Sequence, residues 1–424
     1  MKRGRWIVVC LAMVMVFTVG QVYAAPPTLK VGMPLPLTGV VAESAKEMGE
    51  IFKMYLEEHD GKLGGLPTQL FIEDTETQAE MVVTKTRKLV EADQVHVLTG
   101  GMLAFEALAM RDIAVNNKIA HCISISTADD LTQRLRTPYV VRTNISSSQE
   151  TMPFGEYAYN VLGYRKMATI GQDYAWGWET VGGFQFAFEK SGGKILQKLW
   201  SPIGTTDYAP FVTQLKGGNY DAVWATLIGA DIPRFVQAFQ AYGLKEKTAL
   251  ISSEDLVDQD VFRYYGDEAI GIIGATPYNV NLDRPELKKF VAAYQKRSGG
   301  TKPTFWGHGA YVSAMYIDRT LQKLQKEGVK LEDLPNVVRN DAVRFTTTLK
   351  TIELLDAPSG PIKMTEYNNP IRNIYLVKVI KNKEGKIDAV PIHTFPNTTQ
   401  FWKIDPAKFL SQPVFSRDFP PLTK

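Results

Sequence analysis

The sequence predicts an α/β protein built of two doubly wound parallel-sheet lobes. Three observations carry this. Short apolar strands alternate with amphipathic helices in two successive series. Strands end in small residues, most plainly at Gly100-Gly101 and Ser124. A polar run over residues 144–149 separates the two series. The 424 residues, 45% of them hydrophobic, suffice for two large cores.

Residues 28–33 read as a strand, and the prolines of 34–39 prevent the next stretch from being helical. Ala45, Met48, Phe52, Tyr55 and Leu56 set a helix over 43–59, closed by Gly61, Gly64 and Gly65. A strand over 69–73 is followed by a cap at Asp74 and a helix over 79–92. The strand at 95–99 turns at Gly100-Gly101 into a helix over 105–116, and 119–125 is the next strand. Small residues there leave N–H groups free at a helix N-terminus, a seat for a carboxylate. Such strand ends are where ligands gather in open α/β sheets. Residues 139–143 add one strand before the polar join.

The second series alternates helices at 154–162, 178–191, 208–216 and 233–242 with strands at 167–171, 194–199, 222–227 and 248–252. Residues 270–275 form a further strand. Helices over 286–298 and 306–324 return to the first lobe. Residues 372–380 and 386–393 pair as a hairpin across Lys383-Glu384-Gly385. The last segment, 395–424, reads as a wrapping tail anchored by Phe401, Trp402, Phe409, Phe415 and Phe419.

Residues 1–24 have the form of a cleaved signal peptide: Lys2, Arg3 and Arg5, an apolar run over 6–20, and Val22-Tyr23-Ala24 before the cut. That run is shorter than the about 20 residues a membrane span needs. The formal charge is +3, and without Lys2, Arg3 and Arg5 basic and acidic residues are equal in number. No basic excess remains for nucleic acid or an anionic membrane. Cys10 falls in the leader, so Cys122 is alone in the mature chain, in an apolar strand where a buried core thiol is expected.

The order of segments resembles the solute-binding proteins of branched-chain amino-acid type ABC transporters, the type I periplasmic binding fold. The resemblance runs from Leu29 to about Ile380. It rests on Lys30-Val31-Gly32-Met33-Pro34-Leu35-Pro36-Leu37-Thr38-Gly39 and Gly64-Gly65-Leu66-Pro67. Asp74, Gly100, Ile123-Ser124 and Arg142-Thr143 follow in order, then Trp176-Gly177, the run from Thr205 to Pro210, and Asp221-Ala222-Val223. It implies lobes of 28–145 plus 277–358 and 146–276 plus 359–394. A three-strand hinge near Asn144, Pro277 and Ser359-Gly360-Pro361 joins them. It also implies a periplasmic, monomeric carrier that closes on a small solute and delivers it to a membrane permease.

A carboxylate-bearing solute needs donors at one end and walls from both lobes. In the first lobe the expected donors are N–H groups of Met102, Leu103, Ala104 and Phe105, with Ser126 and Thr127. The family's amino-acid binders carry a serine about where Ala104 and Phe105 stand. Glu254 falls near the family's amine-binding acid. Asp173, Tyr174, Trp176 and Trp178 place three rings in an expected strand-end loop, where the family stacks a ring on its ligand, with Tyr174 and Trp176 as contacts. These signs leave open an aromatic acid and a branched-chain or other amino acid, with a lean to the former. Trp306, His308 and Tyr311 are expected to pack. Histidine spacing gives no metal site, and no cofactor is expected.

Hydrolase elbows, zinc-protease motifs and phosphate loops are not found, so catalytic residues are not expected. A ligand-sensing receptor component of the same fold, and an exported hydrolase, are the alternatives to a transport carrier.

Overall fold

The computed structural model describes residues 27–422, and the expected leader lies outside them. The first series runs β1 (Leu29–Leu35), α1 (Ala42–Glu58), β2 (Lys62–Leu63), β3 (Leu66–Asp74), α2 (Ala79–Arg87), β4 (Val97–Gly100), α3 (Ala104–Asn116), β5 (Ala120–Ile123) and β6 (Val140–Arg142). These strands make one sheet, β2-β3-β1-β4-β5-β6, parallel except for the β2–β3 hairpin. Every residue of β4, β5 and β6 is buried, as a parallel sheet covered on both faces requires. Gly100 sits at φ +90°, and a Cβ there would stand 2.8 Å from the Pro34 carbonyl oxygen, so the turn into α3 needs glycine.

The chain then crosses to α4 (Ser147–Asn160), β7 (Lys166–Gln172), α5 (Ala175–Lys190), β8 (Lys194–Ser201), α6 (Ala209–Lys216), β9 (Ala222–Thr226), α7 (Asp231–Ala241), β10 (Ala249–Ser252), α8 (Gln259–Phe262) and β11 (Ile273–Thr276). It returns through α9 (Pro285–Ser298), α10 (Phe305–Lys326), α11 (Leu334–Asn340) and α12 (Ala342–Leu349). Helix α10 packs on α1 and β5, and α12 on β5, so this segment covers the first sheet. The chain ends in β12 (Glu353–Leu354), β13 (Ile362–Met364), β14 (Pro370–Lys381), β15 (Ile387–Thr398) and α13 (Pro406–Leu410). The second sheet runs β12-β13-β14-β11-β10-β9-β7-β8, with β15 paired to β14. Cys122 is fully buried in β5, where burial pushes its thiol up to about 12.

Three elements differ from the sequence expectation. Helix α4 begins at Ser147, inside the polar run. The Ser146 hydroxyl accepts from the Gln149 N–H and the Gln149 side chain accepts from the Ser146 N–H, a capping box that starts the helix on polar residues. Helix α5 begins at Ala175, so Trp176 and Trp178 stand on a helix and not in a loop. Helices α11 and α12 fill a stretch to which no element was assigned. The tail does wrap: Phe401, Phe409 and Phe415 bury against Met152 of α4 and Ala187 of α5, with Trp402 and Phe419 at the margin. Arg134 donates to the carbonyls of Phe409 and Gln412 at 3.4 and 2.8 Å.

The two sheets are joined by three crossovers, and one side chain meets all three. Arg372 of β14 is buried, and its Nη1 donates to Asn144 Oδ1 at 2.9 Å on the first crossover. Its Nη2 donates to the Pro277 carbonyl at 3.2 Å on the second and to Ser359 Oγ at 2.5 Å on the third. Burial pulls its pKa down to about 10, which leaves the guanidinium charged at neutral pH. Removing it as Arg372→Ala leaves a cavity and three buried acceptors without their donor. A loss of about 3 kcal/mol or more is expected in urea melts. An unchanged midpoint would show that the crossovers hold one another without it.

Candidate functional site

Both lobes contribute walls to one small cavity. Met102, Leu103 and Ala104 come from the β4–α3 turn, Ile125 and Thr127 from the segment after β5, and Phe305 and Trp306 from the start of α10. Tyr174 and Trp176 face them from the start of α5, Ile228 from the end of β9, and Glu254 from the turn after β10. The space between them is about 10 Å³, room for one water, so a larger solute enters only as the lobes separate. A wider cleft of about 510 Å³ lies on the interlobe seam, between the β1–α1 loop and helices α7 and α8.

The rings are positioned by local geometry. Trp176 is on the first turn of α5, 5% exposed, with its ring 5.8 Å from that of Tyr174. A Cβ on Gly177 would stand 1.9 Å from the Gln172 carbonyl oxygen, so glycine lets the α5 start close on β7 and aim the neighbouring indole. Phe305 and Trp306 meet edge to face at 5.3 Å. Trp306 therefore lines the cavity, contrary to the expectation that it only packs. His308 does pack, stacked on Tyr278 at 4.5 Å, and burial holds its pKa well below the usual imidazole value. Tyr311 meets Tyr55 edge to face and donates to Glu58.

The first-lobe donors are arranged differently from the expectation. The N–H groups of Met102 and Leu103 donate to Glu106 Oε2 at 3.1 and 3.0 Å, so the chain's own carboxylate occupies them. Glu106 is buried, its other oxygen accepts from Thr75, and burial raises its pKa. Ala104 and Phe105, the first residues of α3, have N–H groups without an intrahelical acceptor. The Phe105 side chain packs at the edge of the core and does not line the cavity. Ser126 does not line it either, and its carbonyl accepts from Arg142. Thr127 does, with its hydroxyl 2.9 Å from that of Ser147, which donates on to Glu179.

Glu254 is not a solvated loop acid. It is 2% exposed, and apart from the Glu150 carboxyl its Oε2 has no hydrogen-bond partner among the described residues. Its N–H donates to Glu150 Oε1 at 3.0 Å, and the two carboxyls are hydrogen-bonded. Burial first, then the charge of Glu254, pushes Glu150 well above the carboxylate range. Burial also raises Glu254, against the stabilising bond from Glu150. Both carboxyls are pushed up, Glu150 the more strongly, and Glu254 is the one that lines the cavity. Burial, then Asp255 and Glu254, push the Tyr174 phenol well above its ordinary value, so it stays a donor. Sequence reasoning missed Glu150, Phe305, Ile125 and Ile228. Glu150 fell between the polar run over 144–149 and the helix expected from 154, and the other three carry no motif.

Among the described residues, no group of three His, Cys, Asp or Glu side chains is arranged to hold a metal ion. Among them also, no helix is long and apolar enough to cross a membrane.

A family profile described as periplasmic binding protein matches residues 28–385. The Leu/Ile/Val-binding protein homolog 6 of Brucella melitensis is 26% identical over 393 residues, 91% of this chain and 96% of that protein. The structure of an ABC transporter substrate-binding protein from Sphaerobacter thermophilus superposes with a TM-score of 0.80 at 30% identity. It covers 88% of this chain and 99% of that one. A solute-binding protein of an ABC transporter from Rhodopseudomonas palustris BisB5, solved with 3,4-dihydroxybenzoic acid, gives a TM-score of 0.80 at 26% identity over 88% and 98%.

The buried acids fix a pH dependence. Burial pushes Glu47 from 4.5 to about 8, against hydrogen bonds from Thr304. Between those values the folded protein keeps a proton that the unfolded chain has released, so stability falls as pH rises through the window. Asp129 and Asp260, each raised from 3.8 to about 6 chiefly by burial, add the same sign at lower pH. Above pH 6.5, where the buried His121 and His308 no longer add stability with rising pH, melting temperature is therefore expected to drop toward pH 8, and Glu47→Gln to flatten that part of the curve. A rising curve in thermal melts would contradict this ionisation scheme.

Proposed function

We propose, since this chain belongs to the periplasmic binding protein family and is a substrate-binding protein of ABC transporters, that its solute is a small aromatic acid with a hydroxyl on the ring. The observation that carries this is Glu254, a buried carboxyl whose Oε2 has no donor among the described residues apart from the Glu150 carboxyl beside it, on a wall otherwise made of rings and aliphatic side chains. A buried acceptor needs a donor from whatever fills the cavity. A ring hydroxyl supplies it, while Trp176, Phe305 and Trp306 enclose the ring. The carboxylate is received at the start of α3 by the N–H groups of Ala104 and Phe105, with the Tyr174 phenol as a further donor. The ligand of the Rhodopseudomonas protein supports this reading.

In this reading the protein works as a monomer in the periplasm, opens and closes about its three crossovers, and hands the solute unaltered to a membrane permease. A second reading, an amino acid whose ammonium pairs with Glu254, is favoured by the Leu/Ile/Val-binding name of the Brucella relative. Against it, Ala104 and Phe105 offer no hydroxyl to an α-carboxylate.

Calorimetry with 4-hydroxybenzoate, 3,4-dihydroxybenzoate, benzoate, leucine and phenylalanine decides. The hydroxybenzoates are expected to bind tightest, and leucine binding tighter than both would reverse the assignment. Glu254→Gln keeps an acceptor for a hydroxyl and should cost a hydroxybenzoate only about 1 kcal/mol, where an ammonium would lose about 3. Trp176→Ala should weaken binding by about 1–3 kcal/mol, and an unchanged affinity would take that ring out of the site.

A further inference from the structure

We infer that Asp258 is a closure latch: a positioning residue that never touches the solute but holds the solute-contacting start of α10 against the opposite lobe. Glu254 lines the cavity, and the chain runs on through one short turn to Asp258 and Asp260, all in the lobe of β10. Asp258 Oδ2 accepts the Phe305 N–H at 2.7 Å. Phe305 opens α10, a 22-residue helix fixed to the other lobe by its packing on α1 and by Ser313 on Thr99. Asp260 repeats the pattern. Its Oδ2 accepts the Ser44 hydroxyl at 3.2 Å in the first turn of α1.

Two acids of one lobe therefore sit as acceptors at the N-terminal turns of two long helices of the other, where the first N–H groups have no intrahelical partner. The arrangement exists only when the lobes are together. Thr304, the residue before α10, is served from its own lobe: its N–H donates to Glu47 Oε1 at 2.7 Å, and its hydroxyl caps Gly307. Opening leaves those bonds in place and breaks the one from Phe305. The exposed ion pair of Arg263 and Glu43 on the same seam is screened by solvent and adds little. Because Phe305 and Trp306 are cavity walls, the latch and the site share two residues, and the latch acts on solute escape more than on capture.

Stopped-flow kinetics with 4-hydroxybenzoate tests this. Asp258→Ala is expected to release the probe at least tenfold faster with association within twofold of wild type. Asp258→Asn, which keeps an acceptor for Phe305 and for the Gln259 N–H that Asp258 also caps, should stay closer to wild type than alanine. Dissociation unchanged in Asp258→Ala, or an asparagine variant worse than alanine, overturns the latch. The inference rests on lobe closure and not on the solute class. Should 4-hydroxybenzoate fail to bind the wild type, the proposed solute falls, and the latch is read from spin labels placed one on each lobe of the unliganded protein. A lower closed fraction in Asp258→Ala then supports it, and an equal fraction overturns it.

Discussion

The geometry of the whole molecule depends on one buried guanidinium. Arg372 meets Asn144, Pro277 and Ser359, one from each of the three chain segments that pass between the sheets. None of these partners carries a charge, so the cation is desolvated without a carboxylate to offset the cost. A planar fork of donors can reach three segments at once, which a lysine ammonium on a flexible stem cannot do with fixed geometry. Arg142 follows the same logic one layer away. It donates to the carbonyls of Ser126 and Ala128, to Thr132 and to Asn369, tying the loop beneath Thr127 to the turn before β14. The cavity walls are thus hung from a rigid joint.

From that joint the two lobes divide the work by chemistry. The first lobe offers helix N-termini and apolar side chains, and keeps its own carboxylate, Glu106, on two of the N–H groups nearest the cavity. The second lobe adds two more rings, Tyr174 and Trp176, to the Phe305 and Trp306 of the first, and alone supplies the acid, Glu254. Glu150 and Glu254 form a hydrogen-bonded pair, and only Glu254 of the two lines the cavity. On the proposed reading, a solute is selected by its ability to fill a space between indoles and to satisfy the Glu254 carboxyl.

Most of the architecture was legible because it is periodic. Burial on both faces makes β4, β5 and β9 apolar runs, and α1 and α10 show helical spacing over many turns. The first crossover was legible in the polar run from Asn144, while those near Pro277 and Ser359 came only with the resemblance to the family. What could not be read was pairing across distance. The bond from the Glu254 N–H to Glu150 joins residues 104 apart, and that from Phe305 to Asp258 joins residues 47 apart. No local pattern announces either. Helix α4 was placed too late because its first turn is buried among polar partners, so apolar spacing, the signal used, is missing there. Met102 and Leu103 were assigned to a ligand on helix geometry alone, which cannot say that Glu106 turns back to take the same donors.

The isolated thiol in the middle of the first sheet has a practical side. Cys122, the free cysteine among the described residues, is wholly enclosed and far too weakly acidic to react at ordinary pH. The folded domain therefore presents a chemically quiet background. A cysteine engineered at the rim of the jaws would take a fluorophore by itself, and the protein would become an optical reporter of its own cargo.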